Sequence, residues 1–211
     1  HDVNGNYSIS GEVFADYRNV IKKNELTPNT ILYGHNMFSG HSYFTDLVKY
    51  KNLDFYKETP ILYFDTIYND YTWQVFAVVA TNAKTESPGE SIKYGDVWKY
   101  HNFIYFNDNK DTGVTGKERF DDFINEAKSR SYIDTGVDVN FGDYILTLST
   151  CDRTFFHDDW RWVVFARMVP DGENPAVDTS GAKYNSNVKM PDGFYTKYGS
   201  SAQPGSDGVP K

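Results

Sequence analysis

The chain holds one cysteine, Cys151, and it stands where a thiol could react. It ends the run Tyr144-Ile145-Leu146-Thr147-Leu148-Ser149-Thr150, whose branched and aromatic residues predict a strand. Side chains alternate along a strand, so Cys151 shares a face with Thr147 and Ser149 while Leu146 and Leu148 take the other. A structural thiol packs as a small hydrophobe; one set among small polar groups at a strand end is also placed for nucleophilic attack. Such a thiol needs a base and a cation, to hold the thiolate and the developing oxyanion. A single cysteine excludes an intramolecular disulfide and a zinc site of several cysteines.

The base must come from His1, His35, His41, His101 or His157. Spacing alone does not choose among them, and position favours His35, which follows Gly34 where the apolar run Thr30 to Tyr33 opens into a loop. His35 and His41 could be read as a metal pair, but no carboxylate or cysteine stands near them at a ligand spacing. Neither a metal nor a cofactor is expected. For the cation, Arg161 opens the run that continues through Trp162 to Val169, on the same face as Val163, Phe165 and Arg167, and Arg153 competes with it. A guanidinium is always charged and donates several hydrogen bonds, which suits either arginine to an oxyanion or a carbonyl.

These residues need a β framework. The long stretch Ile61 to Ala80 is broken by Tyr68-Asn69-Asp70 and reads as a hairpin. Together with Thr30 to Tyr33, Tyr144 to Thr150, Trp162 to Val169 and a weaker Glu12 to Tyr17, it makes five or six strands. From Lys117 to Lys128 the residues Phe120, Phe123, Ile124 and Ala127 recur at helical spacing, and Thr115 with Glu118 has the capping-box pattern. A shorter helix is expected around Tyr43 to Val48. Two helices without regular alternation argue against a doubly wound parallel sheet.

Composition agrees with that class. The chain of 211 residues has 17 Tyr, 15 Phe and 4 Trp, so rings carry much of its apolar content and favour half-buried pleated surfaces. Its net charge of −8 excludes nucleic-acid binding driven by bulk positive charge. Apolar runs such as Val75 to Ala80 fall far short of the roughly 18 residues that a membrane helix needs. From Pro170 the character changes to Gly, Pro, Asp, Ser and Asn, which divides the chain into a main domain over 1–170 and an extension over 171–211, with Ser200 to Lys211 expected to be disordered.

Three segments, Tyr33-Gly34-His35-Asn36-Met37, Thr147-Leu148-Ser149-Thr150-Cys151 and Arg161-Trp162-Val163-Val164, resemble the signature of sortases. The order His, Cys, Arg and the ten-residue step from Cys151 to Arg161 fit it. Phe14-Ala15-Asp16-Tyr17-Arg18-Asn19 and the helix before the cysteine strand look like the class B branch. The resemblance runs from Gly11 to Met168. It implies a mainly β fold, a closed eight-stranded barrel with the amphipathic helix inserted before the cysteine strand. Class B members carry N-terminal helices and two first barrel strands with no counterpart here, so a shortened N-terminus is the expectation.

The resemblance further implies a cysteine transpeptidase. Cys151 would attack the Thr carbonyl of a sorting motif near the C-terminus of a secreted protein. His35 would be general acid and then base, and Arg161 would hold the oxyanion and the substrate backbone. Asn36, Ser149 and Thr150 would contact substrate. The partners implied are the sorting-motif peptide and an amine of cell-wall peptidoglycan or, alternatively, a pilin lysine, at the outer face of a cell membrane. Two other readings compete with this one. A papain-like peptidase places its histidine after its cysteine, the reverse of the order here, and a non-catalytic surface module would use Cys151 only for packing.

Overall fold

The computed structural model describes residues 4–8, 11–37, 44–82, 98–152 and 160–205. Among them the strands are β1 (Phe14–Ala15), β2 (Ile21–Lys22), β3 (Glu25–Leu26), β4 (Asn29–Tyr33), β5 (Ile61–Tyr63), β6 (Thr72–Asn82), β7 (Ile133–Asp134), β8 (Ile145–Asp152), β9 (Trp160–Met168) and β10 (Lys183–Tyr184). A 3-10 helix at Thr45–Lys51 leads into α1 (Leu53–Glu58), a second 3-10 turn spans Tyr100–Asn102, and α2 (Gly116–Arg130) and α3 (Asp192–Tyr198) follow. No described helix is long and apolar enough to cross a membrane.

Six strands form one curled sheet in the order β1-β4-β8-β9-β6-β5. The β4–β8 pair is parallel and the other pairs are antiparallel. The central strands β6, β8 and β9 are almost continuously buried because both their faces are covered. One face carries Val78, Ala80, Leu146, Leu148, Trp162 and Val164 against Leu47 and Tyr50 of the 3-10 helix and Tyr56 of α1. The other carries Val79, Ile145, Val163 and Phe165 against α2 and Trp98. Phe165 is ringed there by Trp98, Phe123 and Phe76 at centroid distances of 5.5, 5.7 and 6.0 Å, the tilted and edge-on contacts that aromatic quadrupoles favour.

Helix α2 forms as its sequence directs. Glu118 N donates to Thr115 Oγ1 at 3.2 Å and Thr115 N donates to Glu118 Oε2 at 2.8 Å, closing the capping box. Its first residue has to be glycine, because a Cβ on Gly116 would lie 2.1 Å from the carbonyl oxygen of Phe106. The apolar stripe Phe120, Phe123, Ile124 and Ala127 is buried as the spacing requires.

The sheet has six strands among the described residues, in line with the five or six read from the sequence. No ladder joins its edges β1 and β5 among those residues, so the closed barrel implied by the resemblance is met only in part, as a curled half-barrel. The short helix expected at Tyr43 to Val48 is the 3-10 helix Thr45–Lys51, and α1 after it was not anticipated. Residues beyond 170 supply Ala182, Val188, Met190, Phe194 and Ala202 to the same buried cluster as the strands. Of the end expected to be disordered, 206–211 lie outside the described residues.

Candidate active site

Strand β8 runs through Cys151 to Asp152, so the cysteine sits inside the ladder. Register fixes what surrounds it. Cys151 is directly opposite Arg161 of β9, and Arg161 is opposite Thr81 of β6. Directly opposed residues share a face with Cα atoms about 4.5–5.5 Å apart. On the other side of β8, the parallel partner β4 pairs Tyr33 with Ser149. Two residues further along come Cys151, still within β8, and His35, in the loop that leaves β4. Cys151, Arg161 and Thr81 thus form one row across β8, β9 and β6, and His35 follows the end of β4, the strand next to β8.

The loop that carries His35 is tied to β8 residue by residue. Gly34 N donates to Ser149 O at 3.1 Å and Thr150 Oγ1 donates to Gly34 O at 2.8 Å. Asn36 Nδ2 donates to Cys151 O at 3.0 Å. On the far bank, Phe44 N donates to His35 O at 3.2 Å and Met37 N to Thr45 Oγ1 at 3.0 Å. His35 itself is exposed, while Cys151 and Arg161 are half-buried. Arg161 Nη1 donates to Trp160 O at 3.0 Å.

The remaining expected residues separate by face. Ser149 lies on the face of Cys151, buried, with its hydroxyl hydrogen-bonded to Tyr100 Oη at 2.7 Å. Thr150, expected to contact substrate, turns to the opposite face, where it is 1% exposed. The alternation that brings Ser149 and Cys151 together sends Thr150 away from them, and its hydroxyl holds Gly34 instead. Asn36 is half-buried and faces the cysteine's backbone. The competing cation Arg153 and the histidines His1, His41 and His157 lie outside the described residues. His101 is described; burial and the nearby Arg18 push its imidazole down from the ordinary value.

Two tyrosines in the site escaped sequence reasoning. Burial pushes the Tyr100 phenol up, the bond to Ser149 opposes that shift, and the hydroxyl is close enough to feel both Arg161 and Cys151. Nothing periodic marks Tyr100 in the aromatic stretch from Trp98 to Phe106. Tyr33 lies two residues before His35, and its hydroxyl donates to Asp16 Oδ2 at 3.1 Å. Asp16 is also gripped by Arg18 Nε and Nη2, each at 2.8 Å, and Arg18 Nη2 donates on to His101 O at 2.7 Å.

The Arg18 side chain holds the Asp16 carboxyl at about 2, against an ordinary 3.8. A carboxyl depressed on folding adds stability above its unfolded value, and that stability is lost as pH falls through the folded value. The contribution at neutral pH is on the order of 2 kcal/mol. Asp16→Asn is expected to lower stability by that order at pH 7, with the two proteins converging between pH 4 and pH 2. Urea titrations across that range check it, and parallel curves would refute it.

A cleft of ≈ 450 Å³ between Tyr71, Tyr144, Met168 and Pro175 opens at the other end of β8 and β9. Its lining includes no cysteine, histidine or lysine. The chemistry gathers at the Cys151 end.

Comparison with known proteins places this arrangement. A family model described as a sortase domain matches residues 8–169. The chain is 31% identical over 159 residues to sortase B of Staphylococcus aureus (strain NCTC 8325 / PS 47), covering 75% of this chain and 55% of that protein. It is 31% identical over 170 residues to sortase B of Listeria monocytogenes serovar 1/2a, covering 80% and 58%. The chain thus spans a little over half the length of these curated relatives. Its structure is similar to a Staphylococcus aureus sortase B–substrate complex, with a TM-score of 0.59, 30% identity, and 78% of this chain and 64% of that chain covered.

Proposed function

The chain belongs to the sortase family, in its class B branch, and from that we propose that it is a cysteine transpeptidase acting on a C-terminal sorting motif of secreted proteins. The observation that supports the reading is the opposition of Cys151 on β8 to Arg161 on β9, with the loop of His35 tied to the cysteine's own carbonyl through Asn36. The Cys151 thiolate attacks the Thr carbonyl carbon of the motif. The carbonyl oxygen becomes an oxyanion held by the Arg161 guanidinium, a charge-assisted donor at the place where charge develops. The peptide C–N bond then breaks, and the leaving amine takes a proton from the His35 imidazolium. A thioester remains on Cys151.

The second half reverses the roles. An incoming amine of peptidoglycan attacks the thioester carbon and gives its proton to neutral His35. The C–S bond breaks, Cys151 leaves as thiolate, and a new amide joins substrate to acceptor. Exposure of His35 suits it to exchange protons with both amines, and Asn36 keeps its loop on the cysteine's backbone. Ser149 supports this floor through Tyr100. The location that matches this chemistry is the outer face of a cell membrane.

Intact-mass spectrometry after incubation with a panel of sorting-motif peptides tests the reading. The expected result is a Cys151 adduct with the mass of the acyl portion, discharged on adding an oligoglycine amine. Folded protein that forms no adduct with any peptide would favour a non-catalytic module. An adduct discharged only by water would favour a peptidase.

A further inference from the structure

We propose that Lys51 is a positioning residue for Cys151, acting through Asp152 to lock the end of β8 against the far bank of the His35 loop. Asp152 follows the cysteine and, by alternation, points to the opposite face. Its side chain is 1% exposed there, and Lys51 Nζ donates to its Oδ1 at 2.9 Å with the lysine side chain only 13% exposed. The same ammonium lies 5.1 Å from the ring centroid of Trp162, within cation–π range. Trp162 is fully buried and pairs with Thr150, so the ammonium is seated on the strands beneath the cysteine.

Burying an ion pair is a poor route to stability, because desolvation offsets most of the attraction. What this pair does well is fix geometry. Lys51 ends the 3-10 helix that begins at Thr45, and Thr45 Oγ1 holds the backbone of Met37, two residues beyond His35. Besides the Gly34 bonds to Ser149 and Thr150, the His35 loop therefore reaches the last two residues of β8, through Asn36 to Cys151 O and through the 3-10 helix and Lys51 to Asp152. These ties bracket the thiol from both sides of the strand. Without the second, the last rung of β8 keeps its pairing with β9 but loses its tie to the side of the His35 loop, and displacement of about 1 Å at a reacting centre can lower turnover about 100-fold.

The inference rests on the transpeptidase reading for its kinetic readout, so a second readout is independent of it. Lys51→Met is expected to lower kcat about 10- to 100-fold with KM unchanged, and Lys51→Arg to recover most of the loss. Because Lys51→Met strands a buried carboxylate and could unfold the chain, the decisive protein is the double variant Lys51→Met with Asp152→Asn, its fold checked by circular dichroism. It should keep the low kcat, and iodoacetamide should alkylate its Cys151 several-fold more slowly at neutral pH than wild type. If the folded double variant has wild-type alkylation, the inference is overturned, and so it is if the wild type turns over peptide and the double variant matches it. Wild type that forms no adduct while the double variant alkylates slowly would sink the transpeptidase reading and leave the positioning role standing.

Discussion

Replacing Cys151 by alanine is expected to abolish thioacyl adduct and turnover while leaving the fold unchanged. The argument for the first half is that the attacking atom itself is removed. Water bound in its place would lack both the nucleophilicity of a thiolate and a covalent intermediate to split the reaction into two steps. A loss of at least about 10⁴-fold is the expectation from enzymes whose nucleophile has been removed. For the second half, Cys151 is half-buried and exchanges one sulfur for open space, a change on the order of 1 kcal/mol. Its neighbours keep their ties, since Asn36 bonds its backbone carbonyl, which alanine retains. Intact-mass detection of the adduct and a melting curve on the same sample check both halves. Turnover above a hundredth of wild type would remove Cys151 from the mechanism.

Arg161→Ala should be nearly as severe, lowering kcat about 10³-fold with a smaller change in KM. Its position opposite Cys151 in an antiparallel pair sets it across one rung from the proposed nucleophile. Charge appears on the carbonyl oxygen only in the transition state, so the loss belongs mainly in kcat. Arg161→Lys keeps the charge but not the planar fork, and a point-like ammonium on a shorter reach cannot reproduce two parallel donors. It should recover only a small part of the loss. Single-turnover acylation measured by quench separates this from an effect on product release. Arg161→Ala with normal acylation would pass the role to Arg153.

The framework was legible where its signal is local and long. Strands β4, β6, β8 and β9 announce themselves because they carry runs of branched and aromatic residues. Helix α2 announces itself because Thr115 and Glu118 cap it regardless of what surrounds it. The two-residue strands β1, β2, β3, β7 and β10 have no periodicity to read; their partners make them. Helix α1 did leave a mark, since Asn52 Oδ1 accepts from Asp54 N at 2.7 Å and Phe55 N at 3.2 Å, an Asn cap before an apolar pair. The buried residues after 170 are spaced too irregularly to suggest packing, and only the fold explains them.

The candidate site divides in the same way. His35, Cys151 and Arg161 stand in motifs and at or just past strand ends, so position and resemblance both nominate them. Tyr100, Asp16 and Lys51 act through partners 49, 17 and 101 residues away or through neighbours on other elements, and no local pattern encodes such a distance. Thr150 is separated from Ser149 and Cys151 by the alternation along β8 and is buried on the opposite face. The motif grouped by sequence what the strand divides by face.

The parallel pairing of β4 with β8 has a consequence for when this chemistry can exist. The bonds that hold it span more than a hundred residues, Thr147 Oγ1 to Asn29 Oδ1 at 2.7 Å across 118 and Thr150 Oγ1 to Gly34 O at 2.8 Å across 116. Contacts of such separation must repay a large loop-closure entropy before they help, so they form late in folding. During synthesis β4 is complete long before β8 emerges, and for that interval its hydrogen-bonding edge waits for a partner. The loop of His35 is tied to the end of β8 only when the pair closes, so the transpeptidase chemistry proposed for Cys151 waits on one of the last steps of folding.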